Sequence, residues 1–283
     1  MQPEDVAILR DPVTLDRLQY FSDPGQAGSG LLRNAKTGRE FPVRNRISMF
    51  LDQSDVTGSN RKFQKFYDLC APIYDVMIKS FLFIRRLGND EQMRTEYLNQ
   101  LEIAPGDKVL EVSIGTGSNL RYLPKTCKYF GLDISLGMLK RCEKNLRKWK
   151  LDFELFFGAA ESLPFADNEF EVVFHAGGIK FFGDKRQAIK EMIRVAKPGT
   201  KIMIMDQADK LADDVLKVPI ARQFFKGLKE MTVAPVDLVP EDMENVRLDY
   251  VLNGGCYLLE FRKPAVAAAV DHSEGSLVDQ QAA

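Results

Sequence analysis

The sequence is poor in the residues that build metal and disulfide frameworks, with 4 cysteines and 2 histidines among 283 residues. Cys70, Cys127, Cys142 and Cys256 lie too far apart for a metal knuckle, and with His175 and His272 as the imidazoles no structural zinc is expected. The same scarcity argues against a disulfide-stapled scaffold and fits a reducing compartment. Long apolar runs are also missing. The greasiest stretch, Ile73 to Ile84, is broken by Asp75 and Lys79 and is too short to span a bilayer. Neither charge sign dominates: 39 Lys and Arg face 40 Asp and Glu, a formal net charge of −1. General electrostatic nucleic-acid binding is therefore not expected. The opening residues, MQPEDVAILRDP, carry acids and no apolar core, unlike a secretory signal. These absences together predict a cytoplasmic, soluble chain. The 45% hydrophobic content is that of a globular protein, and the length suits one large domain with a small attachment.

Texture divides the chain into four. In residues 1–52, short apolar pieces alternate with turn signals such as Asp23-Pro24-Gly25 and Lys36-Thr37-Gly38, which predicts a small β-rich unit. Residues 53–104 begin as a polar connector and then become helical, with Phe63, Phe66, Tyr67 and Cys70 at three- and four-residue spacing. Pro72 splits this stretch, and it reads as a helical lid or linker. From 105 to 263 short apolar strands alternate with helices: Lys108–Ser113, Cys127–Asp133, Phe153–Phe157, Phe170–His175 and Lys201–Asp206 are the expected strands. Such alternation implies an α/β fold with a mostly parallel sheet flanked by helices. Val246–Leu252 and Cys256–Phe261, around Asn253-Gly254-Gly255, add an antiparallel terminal hairpin. Residues 264–283 lack periodicity and are expected to be disordered.

The segment Val109-Leu110-Glu111-Val112-Ser113-Ile114-Gly115-Thr116-Gly117 runs from a strand into a glycine loop. In open parallel sheets ligands lie at the carboxyl ends of strands, and glycines let them approach the backbone. Leu120 stands where the dinucleotide fingerprint has its third glycine. Glu111, at the binding edge, would repel a pyrophosphate but attract a cationic ligand. Asp133 ends the second strand, where an acid accepts hydrogen bonds from ribose hydroxyls; it could instead cap the helix that starts near Ser135. A nucleoside with positive charge and no phosphate fits this set, and S-adenosyl-L-methionine is the obvious candidate.

The runs VLEVSIGTGSNL, FGLDISLGML, GAAESLPFADNEFEVVF and EMIRVAKPGTKIMIMD resemble the class I S-adenosylmethionine-dependent methyltransferases. Within these the chain is most similar to the type 11 group that includes the ubiquinone and menaquinone C-methyltransferases. The resemblance implies a Rossmann-like class I methyltransferase sheet and S-adenosyl-L-methionine as cofactor, with S-adenosyl-L-homocysteine as product. It implies that Glu111, Gly115 and Gly117 line the methionine part, that Asp133 holds the ribose, and that Ala160 and Glu161 border the adenine; Met138 is a further candidate contact. The chain has Gly158-Ala159-Ala160 where the family often has Gly-Asp-Ala. Tyr67-Asp68-x-x-Ala71-Pro72-x-Tyr74-Asp75 resembles the segment that covers the cofactor pocket in that group. Residues 9–14 and 32–43 resemble the two turns of a zinc ribbon, with Asp11, Thr14, Asn34 and Thr37 at the cysteine places, so metal is not expected.

Methyl transfer from a sulfonium needs alignment and a dry pocket more than a base. Candidate catalytic residues are His175 and Asp206, at the ends of the fourth and fifth strands; His175 could equally be a hydrogen-bonded histidine that shapes its loop, and Asp206 a structural cap. Gly177, Gly178, Tyr67 and Tyr74 are the candidate substrate and lid residues. The acceptor is expected to be a small or lipophilic molecule. Two basic runs, Lys140 to Lys150 and Lys79 to Arg86, permit peripheral membrane contact, and residues 1–52 are a candidate surface for a protein partner. The competing readings are a non-catalytic S-adenosylmethionine-binding scaffold and a nicotinamide oxidoreductase, the latter disfavoured by Leu120 and the terminal hairpin.

Overall fold

The computed structural model describes residues 1–52, 56, 58–84, 89–210 and 232–265. A short helix α1 (Pro3–Ala7) precedes the strands β1 (Leu18–Ser22), β2 (Gly30–Asn34), β3 (Glu40–Arg44) and β4 (Ile47–Met49). Three helices follow: α2 (Gly58–Cys70), α3 (Tyr74–Ile84) and α4 (Asp90–Leu98). The alternating part comprises β5 (Lys108–Val112), β6 (Lys128–Asp133), α5 (Leu136–Trp149), β7 (Phe153–Phe157), β8 (Val172–Ala176), α6 (Lys185–Val195) and β9 (Lys201–Gln207). A hairpin, β10 (Glu244–Val251) and β11 (Cys256–Arg262), ends it. None of the described helices is long and apolar enough to cross a membrane.

The described strands form a single sheet in the order β1-β2-β3-β4-β7-β6-β5-β8-β9-β11-β10. The strands β5 to β9 pair in parallel and β11 runs antiparallel to β9. Their sequences read as mostly apolar runs because helices and loops bury both faces: Phe153 to Phe157, Glu154 included, is buried throughout. The chain leaves β5 in one direction to build β6 and β7, then returns to the other side of β5 to build β8. That reversal opens a crevice beyond the carboxyl ends of β5 and β8, the usual ligand position in such sheets.

The change of texture at residue 52 is not a change of core. Strand β4 pairs in parallel with β7, Ile47 opposite Leu155 and Met49 opposite Phe157, so the amino-terminal meander extends the large sheet. Leu9, Leu32, Phe41 and Phe50 share one apolar cluster with Phe130, Phe156 and Phe165. The turns that resemble a zinc ribbon are held by side chains: buried Asn34 donates from Nδ2 to Asp11 Oδ2 (3.0 Å) and Thr14 Oγ1 (3.1 Å), and Arg39 pairs with Asp11. Among the described residues no cluster of His, Cys, Asp and Glu could hold a metal. The side chains of Lys79, Phe81, Leu82, Phe83, Arg85 and Arg86, invoked above as a basic–aromatic run, and the tail from residue 266 lie outside the described residues.

Candidate active site

A cleft of about 260 Å³ opens at the strand-order reversal, between the loops after β5, β6, β8 and β9 and the helices α2, α3 and α4. The loop after β5 is wound into left-handed conformations, with Ser113 at φ 61°, Gly115 at 57° and Gly117 at 73°. The two glycines serve different ends. A Cβ on Gly115 would meet nothing within 4 Å, so its backbone faces the open cleft. A Cβ on Gly117 would lie 2.7 Å from Cys142 Sγ and 3.2 Å from Leu146 Cδ2. Gly117 is therefore a packing glycine that seats α5 against the loop, rather than a lining residue as its motif position implied.

Glu111 is buried on β5, and its Oε1 accepts from Asn119 Nδ2 at 2.6 Å. Its Oε2 is buried without a partner, and the residue lines the cleft. Burial pushes its carboxyl up to about 8, against the Asn119 hydrogen bond and the Arg94 charge. Asn119 relays the contact outward, its Oδ1 accepting from Arg94 Nη1 (2.5 Å) and Tyr97 Oη (2.6 Å). Arg94 is anchored in turn by Asp90 at 2.9 Å and also lines the cleft. A carboxyl and a guanidinium thus stand side by side, bridged by one amide.

Asp133 closes β6. Its Oδ2 accepts from Gly115 N and its Oδ1 from Ser135 N, both at 2.8 Å, which fixes the carboxylate at the cleft. Burial raises it to about 6 in spite of those bonds. The cap of α5 is Ser135, whose Oγ accepts from Met138 N, so Asp133 is not the capping residue. Ile134 and Met138 supply apolar wall beside it. Ala160 and Glu161 do not line the cleft. Glu161 Oε1 instead accepts from Asn60 Nδ2, Gly183 N and Asp184 N, tying the start of α2 to the start of α6.

Of the two readings of His175, its surroundings match the loop-shaping one. The ring is fully buried: Nδ1 lies 2.9 Å from Val112 O and Nε2 2.9 Å from Ile179 N. A carbonyl only accepts and an amide N–H only donates, so the proton sits on Nδ1 and Nε2 is an acceptor. Burial lowers its pKa, which keeps it neutral. His175 staples β8 to β5 and shapes the loop that follows. Asp206 reaches the cleft wall, but its oxygens are engaged: Oδ1 pairs with Lys180 Nζ at 2.5 Å, and Oδ2 accepts from Gly178 N and Lys180 N. Burial alone would raise Asp206; the Lys180 charge, with hydrogen bonds from Lys180 and Gln207 N, outweighs it and holds the carboxyl below the usual range. It is a paired anion that sets the Gly177–Lys180 turn, not a base. Gly177 (φ 92°) and Gly178 (φ 113°) do line the cleft.

Tyr67 and Tyr74 line the lid side with ring centroids 6.1 Å apart, and burial raises both hydroxyls. Phe63 stacks on Phe181 at 3.9 Å. The lid is fastened to the start of α5 and to the glycine loop by two acids whose roles the sequence did not disclose. Asp68 Oδ1 accepts from Ser135 Oγ (2.6 Å) and Gly137 N (2.7 Å); Asp75 accepts from Thr116 Oγ1 (2.6 Å) and pairs with Arg141 (3.1 Å). Arg94, Asn119 and Lys180 were likewise unassigned. For Asn119 and Lys180 the signal was proximity in sequence, to the glycine loop and to Gly177-Gly178; for Arg94 no signal was available.

A family profile described as a methyltransferase domain matches residues 110–204. The demethylmenaquinone methyltransferase of Lactiplantibacillus plantarum is 30% identical over 168 residues, 57% of this chain and 68% of that one. That of Renibacterium salmoninarum is 33% identical over 141 residues, 50% of this chain and 56% of that one. Across the curated relatives it matches, the chain spans about half to two thirds of their length. Among solved structures, a putative S-adenosyl-L-methionine-dependent methyltransferase from Methanococcus maripaludis superposes with a TM-score of 0.53 at 16% identity, covering 76% of this chain and 98% of that one. An Aquifex aeolicus SAM-dependent methyltransferase gives 0.50 at 22% identity, over 63% of this chain and 96% of that one. At these identities the structural likeness speaks for the fold.

Proposed function

Because the chain belongs to the class I S-adenosylmethionine-dependent methyltransferase family, we propose that it transfers a methyl group from S-adenosyl-L-methionine to a lipophilic acceptor in the cleft. The observation that carries this reading is Glu111 Oε2, a buried carboxyl oxygen without a partner at the edge of a glycine loop. Such an atom is costly unless a ligand completes it. Glu111 takes an ammonium, and Arg94, one amide away, takes a carboxylate, so the pair fits an amino-acid tail. Asp133 accepts from ribose hydroxyls, Ile134 and Met138 flank the base, and Gly115 leaves room at the backbone. When bound, the cofactor supplies a methyl group on a positively charged sulfur and departs as S-adenosyl-L-homocysteine.

The acceptor side is apolar with few polar groups. Phe63, Phe181, Phe182, Met205 and Leu252 exclude water there. Lys180, held by Asp206, offers an ammonium to an acceptor oxygen; Tyr67 and Tyr74 can donate hydrogen bonds to the same molecule. These groups orient and polarise the acceptor, and none of them is set up to remove a proton. The relatives' names, demethylmenaquinone methyltransferase and ubiquinone/menaquinone biosynthesis C-methyltransferase, support an acceptor of quinol type. A bilayer-dissolved acceptor would be met by peripheral contact from the cytoplasmic side.

Calorimetric titration with S-adenosyl-L-homocysteine, with NAD as the counter-ligand, tests the pocket. Saturable heat with the first and none with the second is expected. The reverse would replace this reading with an oxidoreductase. Transfer of a labelled methyl group into the lipid fraction of a cell extract tests the acceptor class, and label confined to protein or RNA would refute it.

A further inference from the structure

We propose that the corner between α2 and α3 docks on an anionic phospholipid surface, a reading that rests on the proposed lipophilic acceptor for its purpose and on the lid's own geometry for its place. Helix α3 is apolar on two sides. Tyr74 and Ile78 line the cleft. Away from the cleft, Ile73, just before the helix, and Val76 on it are 59% and 65% exposed, and Met77 41%. Leu69, at the end of α2, is 80% exposed, and Pro72 between the helices is exposed as well. A helix already packed by one face has no folding reason to present aliphatic side chains outward, and a contiguous patch of them marks an interaction surface.

Charge identifies the partner. From Arg61 to Met77 the acids are Asp68 and Asp75. Both are turned inward, Asp68 onto the start of α5 and Asp75 onto Thr116 and Arg141. The bases stay outside: Arg61, Lys62 and Lys65 are exposed on α2 at the spacing that leads to Leu69. Lys140 and Lys144, also exposed, flank Arg141 on α5, where the one acid between them, Glu143, is paired with Arg147. The outer surface of the corner is therefore an aliphatic tip with a basic collar, its acids withdrawn. Aliphatic tips enter between headgroups while lysines and arginines meet anionic phosphates. The docked side is the back of the very helices that roof the cleft, so a bilayer-dissolved acceptor would have a short path to Lys180 and the tyrosines.

The test is co-sedimentation of the full chain with vesicles of phosphatidylcholine alone and of phosphatidylcholine with a quarter phosphatidylglycerol. Binding to the anionic vesicles is expected, about tenfold or more above the neutral ones and falling with salt. The variant Leu69→Ser/Ile73→Ser/Val76→Ser should lose on the order of tenfold in vesicle partition, and Arg61→Glu/Lys62→Glu/Lys65→Glu should abolish the preference for anionic lipid. A wild-type chain left in the supernatant with both vesicles overturns the proposal. So does wild-type partition by the serine variant, or a dimer that the serine variant disperses without any vesicle binding. Affinity for S-adenosyl-L-homocysteine, measured on the same samples, is expected to be unchanged by these surface substitutions. If the wild type binds vesicles but not that ligand, the methyltransferase reading falls while the docking surface stands.

Discussion

At the glycine-loop end of the cleft Glu111 keeps one oxygen without a partner and the Asp133 carboxylate lines the opening; at the β8–β9 end Asp206 pairs with Lys180, and His175 is satisfied by Val112 O and Ile179 N. The first end is incomplete by itself and asks for a ligand of defined charge. The second is complete, and its contribution is shape and a fixed ammonium. Such a division suits a reaction in which the transferred group arrives already activated, so that the protein must align two molecules rather than make a nucleophile.

Removing a charge from the completed end should have the largest effect. Lys180→Met leaves Asp206 buried and unpaired, and unfolding by urea is expected to show a loss of about 3–5 kcal/mol. The double variant Lys180→Met/Asp206→Leu should recover much of it. A single variant as stable as wild type would mean that the pair is not the closed unit described here.

Cutting the open end should cost binding rather than stability. Asp133→Ala is expected to weaken S-adenosyl-L-homocysteine binding by about 1–3 kcal/mol, because two ribose hydrogen bonds at a desolvated carboxylate are lost. Unchanged affinity would place the ribose elsewhere. His175→Ala should behave in the opposite way. It strands Val112 O and Ile179 N in the interior, for roughly 1–3 kcal/mol of stability, while turnover per folded molecule persists. Turnover lost in a folded, cofactor-binding His175→Ala protein would establish the catalytic reading instead.

The smallest effect is a pH dependence. Glu111 has a folded-state value near 8 against an ordinary 4.5, so the native protein holds a proton that the unfolded chain has lost. The stability it contributes is present below about 4.5 and declines as the pH rises toward 8. An ammonium ligand needs the carboxylate, so affinity should rise with pH between about 6 and 8, by at most about tenfold per unit, and level off above. Glu111→Gln should flatten the profile and bind more weakly, yet be the more stable chain at pH 8.

What could be read from the sequence follows the same division. Parallel strands buried on both faces are mostly apolar runs, so β5 to β9 were placed to within a residue or two, and Glu111, Gly115 and Asp133 sit in one local loop system. Asp68 and Asp75 act on residues about seventy and forty positions away, and no local pattern carries such a distance. The role of His175 stayed open in the sequence because a strand end does not say whether its side chain turns toward the crevice or toward the neighbouring strand; in the sheet register it pairs with Val112. The merging of residues 1–52 with the sheet depended on β4 finding β7, a choice of edge that turn signals do not encode.

Cofactor binding at this cleft turns on a buried carboxyl, Glu111, that gives up its proton to receive a cation. Isothermal titration of S-adenosyl-L-homocysteine at pH 7, in two buffers of different ionisation enthalpy, counts that proton. Release of about one proton per ligand bound by the wild type, and none by Glu111→Gln, is the expected result. Tight binding with no proton released by the wild type would contradict it.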